Sequence, residues 1–129
     1  MSDSSKLQTG SIVWTDLTVK DADRLSRFYE KVAGWKREAV SMGEYNDFNM
    51  LKPQNNEVVS GVCHAKGTNA SIPSQWLIYI AVDDLDECMR ICEQEGGRVL
   101  TDTYRSGQDG KFCVIQDPEG AVCALYQMA

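Results

Sequence analysis

The chain reads as an α+β protein made of two tandem βαβββ modules, and three observations carry that expectation. Residues 19–35 align without a gap on residues 82–98, 63 positions later. Six of the 17 pairs are identical: Val19/Val82, Asp21/Asp84, Asp23/Asp86, Arg27/Arg90, Glu30/Glu93 and Gly34/Gly97. Each copy passes from a β-type run through an aspartate into an amphipathic stripe and stops at glycine. Behind each stripe, short β-type runs alternate with turn-forming residues. A duplicated unit leaves a natural ligand position between its halves.

The elements follow in order. Residues 1–9 are polar and read as a disordered tail, and a strand covers Ser11–Val19. Asp21 caps a helix whose apolar positions Leu25, Phe28, Tyr29 and Val32 recur at i, i+3, i+4, i+7, and Gly34 ends it. Strands are expected at Trp35–Val40, Tyr45–Leu51 and Val58–Ala65, parted by Met42-Gly43 and by Lys52-Pro53-Gln54-Asn55-Asn56. The first module thus spans residues 10–66 and a linker spans 67–74. The second module spans 75–129, and both belong to one compact domain.

The second copy opens with the continuous apolar run Trp76–Val82, expected to be a buried strand. Asp84 with Glu87 three residues on reads as a capping box, and Gly96-Gly97 stops the helix. Strands follow at Arg98–Asp102, Lys111–Gln116 and Ala121–Gln127. The tight turn Asp117-Pro118-Glu119-Gly120 joins the last two.

Bulk composition excludes several classes. A chain of 129 residues with 43% hydrophobic content buries a core without needing metal or disulfides to fold. Thirteen Lys and Arg against 19 Asp and Glu give a net charge of -6, which argues against nucleic-acid binding. No window reaches the ~18 apolar residues of a membrane span, and the N-terminus has no apolar signal core. Five cysteines, an odd number without a CxxC pair, read as buried thiols in a cytoplasmic protein. Cys88 and Cys92, four apart beside Leu85 and Ile91, read as packing residues. No GxGxxG, Walker or GxSxG sequence occurs, so phosphate-cofactor and serine-hydrolase chemistry have no support.

Three signatures together resemble the vicinal oxygen chelate superfamily, which includes glyoxalase I, extradiol dioxygenases and bleomycin-resistance proteins. They are Trp14-Thr15-Asp16-Leu17-Thr18-Val19, the helix with Phe28-Tyr29 followed by Gly34-Trp35, and Asp117-Pro118-Glu119-Gly120. The resemblance implies curled mixed sheets around a cavity, and commonly a homodimer. Metal-using members bind a divalent ion through four strand positions. Carried over one by one, these fall on Trp14, Leu77, Gly61 and Ala124, and the 63-residue offset links Trp14 to Leu77 and Gly61 to Ala124. None of the four can ligate a metal, since such ions take imidazole nitrogen or carboxylate oxygen. The sequence therefore predicts a lost metal site, no cofactor, and no Lewis-acid chemistry of the glyoxalase I type.

Strand alternation then defines the cavity lining. If Trp14 points inward, Asp16 and Thr18 share its face; Val59 and Cys63 go with Gly61, leaving His64 opposite. Tyr79 and Ala81 go with Leu77, and Val122 and Tyr126 with Ala124. The expected ligand set is Trp14, Asp16, Asp47, Asn49, Gly61, Cys63, Leu77, Tyr79, Ala124 and Tyr126, with the facing of Asp47 and Asn49 open. Asp16 is a general base or a partner for a cationic ligand. His64, the only histidine, is a second proton carrier or a surface or dimer-interface residue. Trp35 and Trp76 read as core or interface anchors.

Three functions are weighed. The first is a metal-independent protein that binds a small, partly aromatic molecule between its modules. The second is an enzyme of lyase or isomerase type, with Asp16, Tyr79 or His64 as acid or base, or a metal-dependent glyoxalase-like enzyme. The third is an oligomerisation module without ligand.

Overall fold

The computed structural model describes residues 8–101, 104–106 and 110–128. Most of the expected tail, residues 1–7, and the end of the expected strand at Asp102 lie outside the described residues. Among the described residues the architecture is α+β, with two α-helices and mixed parallel and antiparallel strand pairing. The elements run β1 Ile12–Val19, α1 Ala22–Ala33, β2 Lys36–Ser41, β3 Asn46–Leu51, β4 Val58–His64, β5 Trp76–Ala81, α2 Leu85–Gln94, β6 Arg98–Val99, β7 Tyr104–Ser106, β8 Gly110–Gln116 and β9 Val122–Met128. Contacts divide them into two compact units. One is Thr15–Trp76; the other joins the described residues up to Trp14 with those from Leu77 onward.

In the Thr15–Trp76 unit the strands lie in the order β2-β3-β4-β1, and β1 pairs parallel with β4. Leu17, Val19, Ala22, Phe48, Met50 and Val62 form its core, with Leu25, Tyr29, Trp35 and Trp76 packed against them. The helix seam is Ala22, Leu25, Ser26 and Tyr29, not the expected Leu25, Phe28, Tyr29 and Val32. Phe28 is 50% and Val32 67% exposed, whereas Ala22 and Ser26 are fully buried. Their small side chains bring the helix close to the sheet, and that approach rotates Phe28 and Val32 outward. The Ser26 hydroxyl donates to the Asp23 carbonyl at 3.0 Å and accepts from Arg37 Nη1 at 3.0 Å, so its burial leaves no orphan group.

The other unit has the order β5-β9-β8-β6, with β7 added on β8. Here β5 pairs parallel with β9. Leu85, Cys113 and Leu125 form its core, joined by Ile80, Val82, Cys88, Met89 and Ile115. Strand β7 was not anticipated, because its three residues are too short to show a period. Strand β6 keeps only Arg98–Val99 of the expected Arg98–Asp102.

The duplication is visible in the caps, with one divergence. Asp21 accepts from the Arg24 N–H at 3.0 Å and Asp84 from the Glu87 N–H at 3.1 Å. The expected capping box is only half formed, since Arg90 holds the Glu87 carboxylate at 2.6 Å. Gly34 ends α1 in the left-handed region at φ 78. Its aligned partner Gly97 does not repeat this; Gly96 takes the left-handed turn at φ 97 instead. Gly97 serves close packing, as a Cβ there would lie 2.8 Å from both Cys92 Sγ and the Gln116 carbonyl.

Candidate functional site on the sheet faces away from the helices

In the Thr15–Trp76 unit, β1 and β4 set Asp16 opposite Gly61 and Thr18 opposite Cys63. The β3–β4 ladder sets Asn49 opposite Gly61, and the β2–β3 ladder sets Glu38 opposite Asn49 and Val40 opposite Asp47. Leu17, Val19, Phe48 and Val62 face α1, so by alternation the other face carries the row Asp16, Gly61, Asn49, Glu38. A Cβ on Gly61 would sit 3.4 Å from the Asp16 Cβ and 3.8 Å from Cys63 Sγ, which places all three on that face. Asn49 Nδ2 donates to Glu38 Oε1 at 3.2 Å. Asp16 is only 8% exposed.

Asp47 closes this face at the strand end. Its Oδ1 accepts the His64 backbone N–H at 2.8 Å and lies 3.4 Å from His64 Nδ1. Burial first, then the Asp16 and Asp47 carboxylates, push the Cys63 thiol far above its ordinary range. Asp47 also accepts from that thiol. A neutral thiol between two carboxylates is a hydrogen-bonding element and a poor nucleophile. His64 lies on the opposite face from Cys63, so no Cys–His nucleophile pair forms. The expected surface role for His64 is incorrect: the imidazole is 7% exposed, because its strand partner is Val19 beneath α1.

The same register recurs in the other unit after 63 residues. Tyr79 lies opposite Ala124 as Asp16 lies opposite Gly61, and Ala81 lies opposite Tyr126 as Thr18 lies opposite Cys63. Cys113, Ile115 and Leu125 face α2, which leaves Tyr79, Phe112, Val114, Ala124 and Tyr126 on the other face. The Tyr79 and Phe112 rings meet at 5.5 Å, and a Cβ on Gly110 would lie 2.8 Å from the Tyr126 hydroxyl. Leu77 is fully buried. This face is aromatic, while that of the Thr15–Trp76 unit is acidic. Sequence reading missed Glu38 and Phe112, although the ladder partners of Asn49 and Tyr126 are the signals that locate them.

The family's metal position does not fit these residues. An indole, an isobutyl group, a hydrogen and a methyl at Trp14, Leu77, Gly61 and Ala124 supply no donor for a divalent ion. On its helix side, the Thr15–Trp76 unit carries an open groove of about 560 Å³ lined by Val19, Lys20, Arg24, Phe28, Tyr29 and Trp76, among others.

A family model described as Glyoxalase/Bleomycin resistance protein/Dioxygenase superfamily matches residues 11–125, and the chain belongs to that superfamily. It is 29% identical over 122 residues to CFP32 of Mycobacterium tuberculosis, which carries a provisional glyoxylase name. It is 25% identical over 138 residues to the anthracycline biosynthesis protein DnrV of Streptomyces peucetius. Each match takes 95% of this chain but only 46% and 49% of the relative, so the chain spans about half the length of the curated relatives it matches. Among solved structures, a methylmalonyl-CoA epimerase of Streptomyces coelicolor aligns with TM-score 0.57 at 16% identity, covering 95% of this chain and 99% of that one. A superfamily member from Vibrio splendidus 12B01 aligns with TM-score 0.56 at 13% identity, covering 88% and 96%. These two likenesses concern the fold. No described helix is long and apolar enough to cross a membrane.

Proposed function

We infer that this chain is a ligand-binding member of its superfamily that works without a metal at the family's position. Its ligand is a small, partly aromatic molecule with a hydrogen-bond donor or cationic group. The observation that carries this is the buried Asp16 carboxylate beside Gly61, the point where the family pattern calls for a metal ligand. Without a side chain at residue 61, no Cβ from β4 crowds Asp16 on this face. Asp47 and Glu38 add carboxylates on this face and favour positive charge, with Asn49 between Gly61 and Glu38 in the register. Within the other unit, Tyr79, Phe112 and Tyr126 form an aromatic face of their own. The similarity to the anthracycline biosynthesis protein DnrV supports an aromatic ligand class, since anthracyclines are polycyclic aromatic compounds.

A second reading rests on the equivalence of Asp16 and Tyr79 in the duplicated register. The Asp16 carboxylate in the Thr15–Trp76 unit and the Tyr79 phenol in the other are each suited to carry a proton in lyase or isomerase chemistry. The five free thiols accord with a reducing, cytoplasmic setting, and a homodimer is the assembly we expect.

Native mass spectrometry of freshly purified protein, with metal analysis of the same sample, tests the binding function. A co-purified organic mass lost in Asp16→Asn is the expected result. Retention in Asp16→Asn but loss in Phe28→Ala would move the site to the helix-side groove. A bound divalent ion that persists in an Asp21→Ser/Asp23→Asn variant would overturn the metal-free assignment. Turnover of the recovered molecule, abolished by Asp16→Asn or Tyr79→Phe, would establish the second reading.

A further inference from the structure

On the helix side of the Thr15–Trp76 unit, two aspartates at the start of α1 meet the only histidine. Asp21 is the N-cap of α1, Asp23 is in its first turn, and His64 ends β4 opposite Val19. One ligand-type atom from each of the three lies within 4.8 Å of the others. The His64 Nδ1 is sealed from solvent and makes no hydrogen bond, yet it lies 3.4 Å from Asp47 Oδ1. Nε2 points the other way, 3.9 Å from Asp23 Oδ2. The Tyr45 ring packs edge-on against the imidazole at 5.2 Å.

We propose that Asp21, Asp23 and His64 form a binding site for a first-row divalent metal ion, with Asp47 orienting the imidazole. A carboxylate facing Nδ1 favours the tautomer that leaves the Nε2 lone pair for a metal, the usual arrangement of metal-binding histidines. Asp47 is held for this task by the His64 backbone N–H at 2.8 Å. Tetrahedral ligands about 2.0–2.2 Å from an ion lie roughly 3.3–3.6 Å apart. Closing the cluster around an ion therefore takes side-chain movements of about 1 Å, and Asp21 and Asp23 are exposed enough to make them. Asp21 keeps one oxygen on the Arg24 N–H at 3.0 Å and offers the other.

Charge decides whether a cation is welcome. The positive end of α1 opposes one with about half a unit charge, while two carboxylates supply two negative charges. Two of the nearby cations are engaged elsewhere. Arg37 binds the Asp23 carbonyl and the Ser26 hydroxyl and lies 3.6 Å from the Glu30 carboxylate, and Lys66 sits over the Tyr45 ring. One imidazole and two carboxylates suit zinc, cobalt or nickel better than magnesium or calcium, which prefer oxygen alone. Three protein ligands leave a fourth position for water. The site uses none of Trp14, Gly61, Leu77 and Ala124. Its structural consequence is a clamp between the start of α1 and the end of β4, which stabilises the folded chain.

Calorimetric zinc titration of the EDTA-stripped full chain, with cobalt absorbance as a second readout, tests the site. The expected result is one ion per chain, tetrahedral cobalt bands, and a higher melting temperature with zinc. Asp23→Asn and Asp21→Ser should each weaken binding at least about tenfold, and Asp47→Asn by roughly ten- to a hundredfold. Serine at 21 preserves the helix cap, and circular dichroism checks the fold. Asp86→Asn, the aligned acid of the other copy, should bind zinc as the parent does. Absence of saturable binding overturns the proposal. So does parent-like affinity in the Asp21→Ser/Asp23→Asn variant, which would place the ion outside this cluster.

Discussion

The Asp47 carboxylate accepts the backbone N–H of His64 at 2.8 Å across 17 residues of sequence. That bond ties the start of β3 to the end of β4 where the ladder runs out. The same carboxylate faces the His64 ring and the Cys63 thiol, so one side chain serves both faces of the sheet. Asp47→Ala leaves a buried N–H without its acceptor, and we expect a loss of about 1–3 kcal/mol. Asp47→Asn keeps an acceptor oxygen and should lose less. Urea denaturation of the three proteins measures the difference; equal stabilities would refute the role of the bond.

Alkaline pH should destabilise the fold through its buried thiols. Burial, then the neighbouring Cys92, Cys88 and Cys123, push Cys113 from 9.0 up to about 12. A group whose folded pKa is raised gives stability that is complete below the unfolded pKa and lost as pH climbs towards the folded one. Between pH 9 and 10.5 this amounts to about 2 kcal/mol for Cys113. Cys63 acts in the same direction. Urea midpoints at pH 7.5 and 10.5 should differ less in Cys113→Ala than in the parent, and an identical difference counts against this.

Two aligned glycines should respond differently to alanine. At Gly34 a Cβ meets open space, and the cost comes from the left-handed φ of 78, about 1 kcal/mol. At Gly97 the new methyl would press on Cys92 Sγ and the Gln116 carbonyl, costing about 1–3 kcal/mol through backbone shifts. Thermal melts rank the two variants, and Gly34→Ala falling below Gly97→Ala would contradict the packing assignment.

Trp76 Nε1–H donates to the Tyr29 hydroxyl at 3.1 Å, and their rings meet edge-on at 5.3 Å. Tyr29→Phe and Trp76→Phe each remove the hydrogen bond while keeping a ring. A double-mutant cycle should give a coupling of about 0.5–1.5 kcal/mol. Additive losses would mean that the hydroxyl and indole act independently.

Much of this fold was legible because its signals are local. Asp21 and Asp84 announce helix starts by their own side-chain hydrogen bonds. The 63-residue repeat carried further, since the Asp16–Gly61 register returns as Tyr79–Ala124. Glycine behaviour was less legible: Gly96 and Gly97 look alike in sequence, and only the closeness of Cys92 and Gln116 separates their tasks. The helix seam was displaced for a related reason. Apolar periodicity selects Phe28 and Val32, whereas close approach to the sheet selects the small Ala22 and Ser26.

By itself, the sequence determined the order of every element but β7, the acidic balance, the alternation of the longer strands and the absence of metal donors at the family's four positions. These depend on residue type and near spacing, which chain order preserves. The tertiary structure alone decided that Asp47 reaches both Cys63 and His64, and that His64 lies buried beside Asp21 and Asp23. Those residues are up to 43 positions apart, and no periodicity links them. Their meeting depends on the parallel pairing of β1 with β4, which carries the chain from Val19 into α1 next to the strand end at His64.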